Sequence, residues 1–305
     1  MKQMLMKVVS KSNARLSRKE NRVGWMFVTL STILISVLVF LPMIQAFITS
    51  LQSGFSNNMK FVGFDNYLRL FNDTTFIKAA TNTVLYLVIQ VPIMILFSLV
   101  ISVALNDKKL KGKGFFRTAV FLPCITSLVA YSIIMKGMFS VDGSINQILM
   151  NLHLIQEPIM WLTDPFWAKV LIIIAITWRW TGYNMIFYLS GLQNIDPSIY
   201  EAADIDGASA VTKFFKITVP MLKPIILFTT ITSTIGTLQL FDEVVNITGG
   251  GPANATLTLS QYIYNLSFKY SPNFGYAAAV SFVIVIAIVI LSMIQMKVGG
   301  DKHEK

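Results

Sequence analysis

Long apolar runs alternate along this chain with short polar, basic or proline-bearing segments. The runs cover residues 24 to 50, 82 to 105, 116 to 138, 168 to 191, 222 to 246 and 276 to 297. Crossing a hydrocarbon core of about 30 Å takes roughly 20 apolar residues at about 1.5 Å rise each. Each run therefore predicts one spanning helix. A helix keeps its backbone hydrogen bonds within itself, which lipid demands. The short alternating strands of a membrane barrel are not seen. The fold class expected is an all-α integral membrane protein of six transmembrane helices. Residues 1-23 form a basic N-terminal tail, 24-297 the membrane domain and 298-305 a C-terminal tail.

Composition agrees with this pattern, at 54% hydrophobic residues and 13% charged, against about a quarter charged in soluble domains. The net charge of +10 would suit a nucleic-acid binder, but the basic residues are placed otherwise. Lys2, Lys7, Lys11, Arg15, Arg18, Lys19 and Arg22 precede the first run, and Lys108, Lys109, Lys111, Lys113 and Arg117 follow the second. Lys213, Lys216 and Lys223 separate the fourth from the fifth, and Lys297, Lys302 and Lys305 follow the sixth. With six spans these segments share one side, so the positive-inside bias puts both termini in the cytoplasm and leaves no role for nucleic acid. The first run is about twice the usual length of a signal-peptide core and lacks a small-residue cleavage site, so it reads as a retained anchor. The one cysteine, Cys124, excludes an internal disulfide and a cysteine-based metal cluster, and no metal or cofactor is expected.

The polar interruption at 200 to 224 is the most informative segment. Asp196 before Pro197 reads as a helix start, with a carboxylate cap and a proline at the first helical position. That helix is expected to run to about Ile205, Gly207 to supply a left-handed turn, and a second helix to run from Ser209 to Lys216 before Pro220 stops it. Two short helices at a bend make a compact knob, with Tyr200, Phe214 and Phe215 as apolar anchors. An ordinary amphipathic connector is an alternative. The segment resembles the EAA loop of permease subunits of ABC importers: Glu201, Ala202, Ala203, Asp206, Gly207 and Ala208 occupy the signature positions, and Pro220 closes it about a dozen residues later. The resemblance implies a cytoplasmic coupling loop, 193-221, gripped by a separate ATPase subunit. The chain has no Gly-x-x-x-x-Gly-Lys-Ser/Thr phosphate loop of its own, and no catalytic residue is expected.

Further segments resemble the carbohydrate-uptake permeases of the maltose and glycerol-phosphate group. They are Val-Gly-Phe-Asp-Asn-Tyr at 62 to 67, Leu-Gln-Leu-Phe-Asp-Glu at 238 to 243, Thr-Gly-Gly-Gly-Pro at 248 to 252, Tyr-Ile-Tyr at 262 to 264 and Phe-Gly-Tyr-Ala-Ala-Ala at 274 to 279. The resemblance implies a permease subunit of a sugar importer in a bacterial inner membrane. Its expected partners are a second, homologous permease in a heterodimer, two ATPase subunits, an extracellular solute-binding protein and lipid. In this group amides just before the phenylalanine of the fifth-span motif line the sugar site, which points to Gln239; Leu240 departs from a polar position there.

A sugar path combines aromatic faces with amides and hydroxyls. Tyr183 and Asn184 in the fourth run and Ser127 and Tyr131 in the third have those side chains, although helix-to-helix hydrogen bonding would use the same residues. Arg179 lies at mid-span between Trp178 and Trp180, where a charge is costly unless it faces protein or water. Ligand contact, snorkelling, and an ion pair with Asp242 or Glu243 are its three readings. The same carboxylates would serve an ion-coupled secondary transporter, a reading kept open together with import of a polyol or glycerol-phosphate-like solute.

Overall fold

The computed structural model describes residues 21 to 54, 59 to 107 and 109 to 300. Most of the basic N-terminal tail, Lys108 and the end of the C-terminal tail, with Lys302 and Lys305, lie outside the described residues.

Among the described residues, four helices are long and apolar enough to cross a membrane: α1 (Asn21–Ser50), α3 (Thr74–Asn106), α7 (Pro165–Gln193) and α13 (Phe274–Gly299). Two bent pairs add further spans if each counts as one: α4 (Lys113–Ile125) with α5 (Leu128–Met138), bent by 104°, and α9 (Ala210–Met221) with α10 (Lys223–Leu238), bent by 72°. The third and fifth apolar runs are thus broken rather than straight. A run of apolar residues reports depth in lipid; it does not report whether the helix inside it is continuous. The third run turns at Thr126, whose backbone is extended, just after Pro123. The fifth run ends its helix at Leu238, and a separate short helix, α11 (Asp242–Ile247), follows.

The connections carry short helices, α2 (Asp65–Leu70), α6 (Ser144–Asn151) and α12 (Leu259–Tyr264), as interfacial segments should. A two-residue ladder pairs Gln52 with Phe61 and Ser53 with Lys60. Proline has different effects in different places. Pro92 is accommodated within the 33 residues of α3, and Pro42 sits in the first turn after a wide π-turn at Ser36–Phe40.

The helix α7 is the axis of the fold, since α3 and α4 both pack along it. Gly182 permits the second crossing: a Cβ there would lie 2.2 Å from the carbonyl oxygen of Val120 in α4. Small residues allow this kind of backbone approach between membrane helices, where packing rather than water exclusion drives association. In contrast, most apolar side chains of α1 are exposed, as suits a helix turned to lipid, and Phe47 anchors it edge-on to Phe282 of α13.

Candidate translocation pathway and coupling surface

The short helices at the end of α7 form as their local signals require. Helix α8 (Pro197–Ile205) starts with the Asp196 carboxylate accepting from the Ser198 amide at 2.9 Å and with Pro197 in its first turn. Hydrogen bonds from the Ser198 amide and hydroxyl hold the Asp196 carboxyl below the usual carboxylate range. Gly207 has φ of +71°, the left-handed conformation, and Ser209 caps α9 by accepting from the Thr212 amide. Lys213 bridges back to Asp204 and closes the corner.

Pro220 does not stop this second helix. A π-turn at Phe214–Thr218 widens the helix just before the proline, and α9 continues to Met221. A proline within a helix leaves the carbonyl four residues earlier without its donor and crowds it; a wide turn relieves both problems. The chain bends instead at Leu222, and Pro224 lies in the first turn of α10.

The anchors divide between two jobs. Tyr200 and Phe214 pack into a buried cluster with Leu99, Tyr188, Leu192 and Leu222, and the Tyr200 hydroxyl meets Thr218 Oγ1 at 2.9 Å. Phe215 points outward at 61% exposure, beside Ile205 at 87% and Val211 at 66%. Glu201, Ala202, Asp206 and Gly207 are also exposed, Ala208 is partly so, and Ala203 is buried. Ile205 and Val211 are not singled out by the sequence, although several apolar side chains gathered in one polar connector are a signal of a contact surface.

A cavity of about 170 Å³ lies between α3, α7 and α10. Gln90, Met94, Trp180, Tyr183, Thr232, Ser233 and Thr237 line it together with Ile176, Gly236 and Leu240. Of the sequence candidates, Tyr183 lies on its wall. Asn184 is buried behind, where its amide donates to the Trp180 carbonyl and toward Met94 Sδ. Gln239 is exposed and outside the lining, as is Ser127 at the bend before α5. Their helices end where the apolar runs break, so a straight-helix reading misplaces both. Leu240 and Thr237, neighbours of Gln239, are the residues of that segment which reach the cavity.

Arg179 is 7% exposed and lies with its guanidinium 5.3 Å from the centre of the Tyr131 ring and 5.8 Å from that of Trp180. Its Nε and Nη1 have no hydrogen-bond partner, and neither does the Tyr131 hydroxyl. Tyr131 stacks on Trp178 at 5.7 Å. The ion pair with Asp242, one of the three readings of Arg179, is not formed among the described residues. Asp242 is exposed at the start of α11, while Glu243, about 100° round the same helix, is buried and accepts from Trp180 Nε1 at 3.3 Å. Among the described residues, Arg179 makes no salt bridge to either carboxylate.

The chain is 58% identical to the lactose transport system permease protein of Rhizobium radiobacter, over 95% of this chain and 98% of that one. It is 36% identical to an arabinooligosaccharides transport system permease protein of Halalkalibacterium halodurans, over 90% and 87%. A chain from the crystal structure of a bacterial alginate ABC transporter, in complex with a pentasaccharide-bound periplasmic protein, superposes with a TM-score of 0.80. It shares 22% identity over 92% of this chain and 95% of that one, a likeness of fold. A profile of binding-protein-dependent transport system inner membrane components matches residues 107–298. With the exposed knob at one end and the lined cavity in its helices, the chain belongs to the family of binding-protein-dependent transport system inner membrane components.

Proposed function

We propose that this chain forms half of the membrane path of an ATP-driven carbohydrate importer, and that its cargo is a disaccharide of the lactose class. The cargo follows from the extent of similarity to the lactose permease and from a cavity that combines aromatic, amide and hydroxyl side chains. The other half is a homologous but distinct permease. Two ATPase subunits sit on the cytoplasmic face, a solute-binding protein delivers sugar from outside, and both termini are cytoplasmic in a bacterial inner membrane. ATP hydrolysis belongs to the separate subunits.

The observation that carries this reading is the double face of the α8–α9 knob. Outwardly it offers Ile205, Val211 and Phe215 around the corner at Gly207. Inwardly Tyr200 and Phe214 are set into the cluster holding Tyr188 of α7 and Leu99 of α3, at the foot of α10. Those three helices line the cavity. An ATPase that grips the outer face therefore moves the cavity walls, because a packed cluster transmits displacement rather than absorbing it. ATP-bound and nucleotide-free ATPase pairs bind the knob in different positions, and this differential affinity biases the path between its inward-open and outward-open forms. Glu201, Ala202, Ala203, Asp206, Gly207, Ala208 and the Pro220 segment form the gripped element.

Uptake of labelled lactose tests the reading in cells lacking this chain, restored with the natural sequence or with Ile205→Glu combined with Phe215→Glu. The natural chain restores uptake. The variant reaches the membrane in equal amount but does not transport and no longer copurifies with the ATPase. Uptake that survives in the variant, or that persists in vesicles without ATP, overturns the proposal.

A further inference from the structure

Resting on the carbohydrate reading above, we propose that Gln90 is a specificity-determining residue that contacts a sugar hydroxyl in the cavity between α3, α7 and α10. Its side chain lines the cavity yet is only 2% exposed. A carboxamide at that depth is costly to keep unless its hydrogen bonds are met. Here they are met incompletely. Gln90 Nε2 donates to Met94 Sδ at 3.2 Å, and a thioether is a weak acceptor. The same sulfur faces the Asn184 amide at 3.4 Å. Among the described residues, the second N–H of Gln90 has no acceptor.

The acceptor end is equally available. Thr237 Oγ1 lies 3.2 Å from Gln90 Oε1 and 2.9 Å from the Ser233 carbonyl. One hydroxyl proton is shared between two acceptors, so Gln90 Oε1 retains capacity. A sugar hydroxyl both donates and accepts, and it fits a carboxamide with one free N–H and an under-used oxygen. In the same cavity, Trp180 and Tyr183 meet edge to face at 5.7 Å and supply the aromatic surface that the apolar face of a pyranose requires. Gln90 therefore takes the amide role that its position outside the cavity denies to Gln239.

The test is transport of lactose and of its monodeoxy analogues, each lacking one hydroxyl, by the complete importer carrying natural Gln90, Gln90→Leu or Gln90→Asn. Gln90→Leu is expected to raise the apparent KM for lactose about tenfold with little change in maximal rate. For one analogue the natural and Leu importers have the same KM, because the hydroxyl that Gln90 contacts is already missing. Gln90→Asn, which keeps the carboxamide but shortens its reach, falls between them on lactose. A loss spread equally over lactose and all analogues, or confined to maximal rate, assigns Gln90 to helix packing and overturns the inference. Should Gln90→Leu fail to reach the membrane, the same comparison is made with Gln90→Asn alone: its KM defect disappears for one analogue, or the inference fails. Absence of uptake of any of these sugars by the natural importer sinks the lactose-class cargo, and the Gln90 assignment with it.

Discussion

Two polar regions inside this helical protein are built to opposite rules. At the end where α3 begins, Asp73 caps the helix by accepting from the amides of Thr75 and Phe76, at 2.9 and 3.1 Å. Its other oxygen accepts from the hydroxyls of Tyr262 and Tyr276, at 2.5 and 2.6 Å. Asn82 donates to the Leu257 carbonyl at 3.0 Å, Thr83 accepts from the Leu259 amide, and Arg69 lies 4.2 Å over the Tyr276 ring. Among the described residues, Gln261 Oε1 is an unmet atom of this region. Near mid-span, by contrast, Arg179, Tyr131, Thr177 and Asn184 all bury polar atoms without partners. The first region spends its polar groups on joining α2, α3, α12 and α13. The second leaves them unmet beside the cavity walls, where a ligand or a second conformation can use them. Satisfaction, more than polarity, separates structure from function here.

The largest expected effect comes from breaking the satisfied region. Asp73→Ala removes a helix cap, worth about 1 kcal/mol, and leaves two tyrosine hydroxyls without their acceptor, so a total loss of about 3 kcal/mol is expected. Thermal unfolding of the detergent-solubilised complex measures it. A smaller part of the same effect is a pH dependence. Burial pushes the Asp73 carboxyl up, but hydrogen bonds from Tyr262, Tyr276, Phe76 and Thr75 outweigh it and hold the group below its ordinary value of 3.8. A depressed folded-state value means that the stabilisation is complete above the unfolded value and fades as pH falls through the folded one. Natural protein is therefore expected to lose unfolding temperature below about pH 4, and Asp73→Asn to lose less over that window. Parallel pH profiles for the two would refute the assignment.

Legibility in the sequence follows the range of the interactions. The start and the corner of the knob are readable in detail, though not its end at Pro220, since Asp196, Pro197, Gly207 and Ser209 act on amides and torsions within a few residues of themselves. Its packing side was not, because whether Phe214 or Phe215 faces inward depends on Leu99 and Tyr188, far away in the chain. Hydropathy located the apolar segments but not the breaks at Thr126 and at Gln239 to Phe241, because lipid accepts either arrangement where neighbouring helices meet the freed backbone. Asp73 and its tyrosines are separated by 189 and 203 residues, so nothing local announces them. Gln90 in an apolar run reads as one polar residue among many until helix packing turns it toward a cavity.

The unmet region should respond in the opposite direction. Arg179→Met keeps much of the volume and the packing against Tyr131 while removing a buried charge that lacks a salt bridge. Desolvating a buried charge costs several kcal/mol that only a well-placed partner repays, and Arg179 has no salt bridge among the described residues, so unfolding stability is expected to stay level or rise by about 1 kcal/mol. Transport falls if the charge serves the cycle. A loss of stability as large as that of Asp73→Ala would place both regions under one rule and dissolve the contrast.

The finest distinction is between the two carboxylates that open α11. Asp242 is exposed, whereas Glu243 is buried and bonded to Trp180, next to Arg179 in sequence. Double-mutant cycles on transport rate, with each carboxylate changed to its amide and Arg179 to Met, separate them. Arg179 with Asp242 should be additive within about 0.5 kcal/mol, and Arg179 with Glu243 should couple by more than that. Coupling confined to transport and absent from unfolding would mean that the two charges meet in a conformation other than this one, which is how a buried arginine without a salt bridge could be retained. Equal coupling in both measurements would make the pair an ordinary structural contact and leave Gln90, rather than Arg179, as the polar group on which the cavity depends.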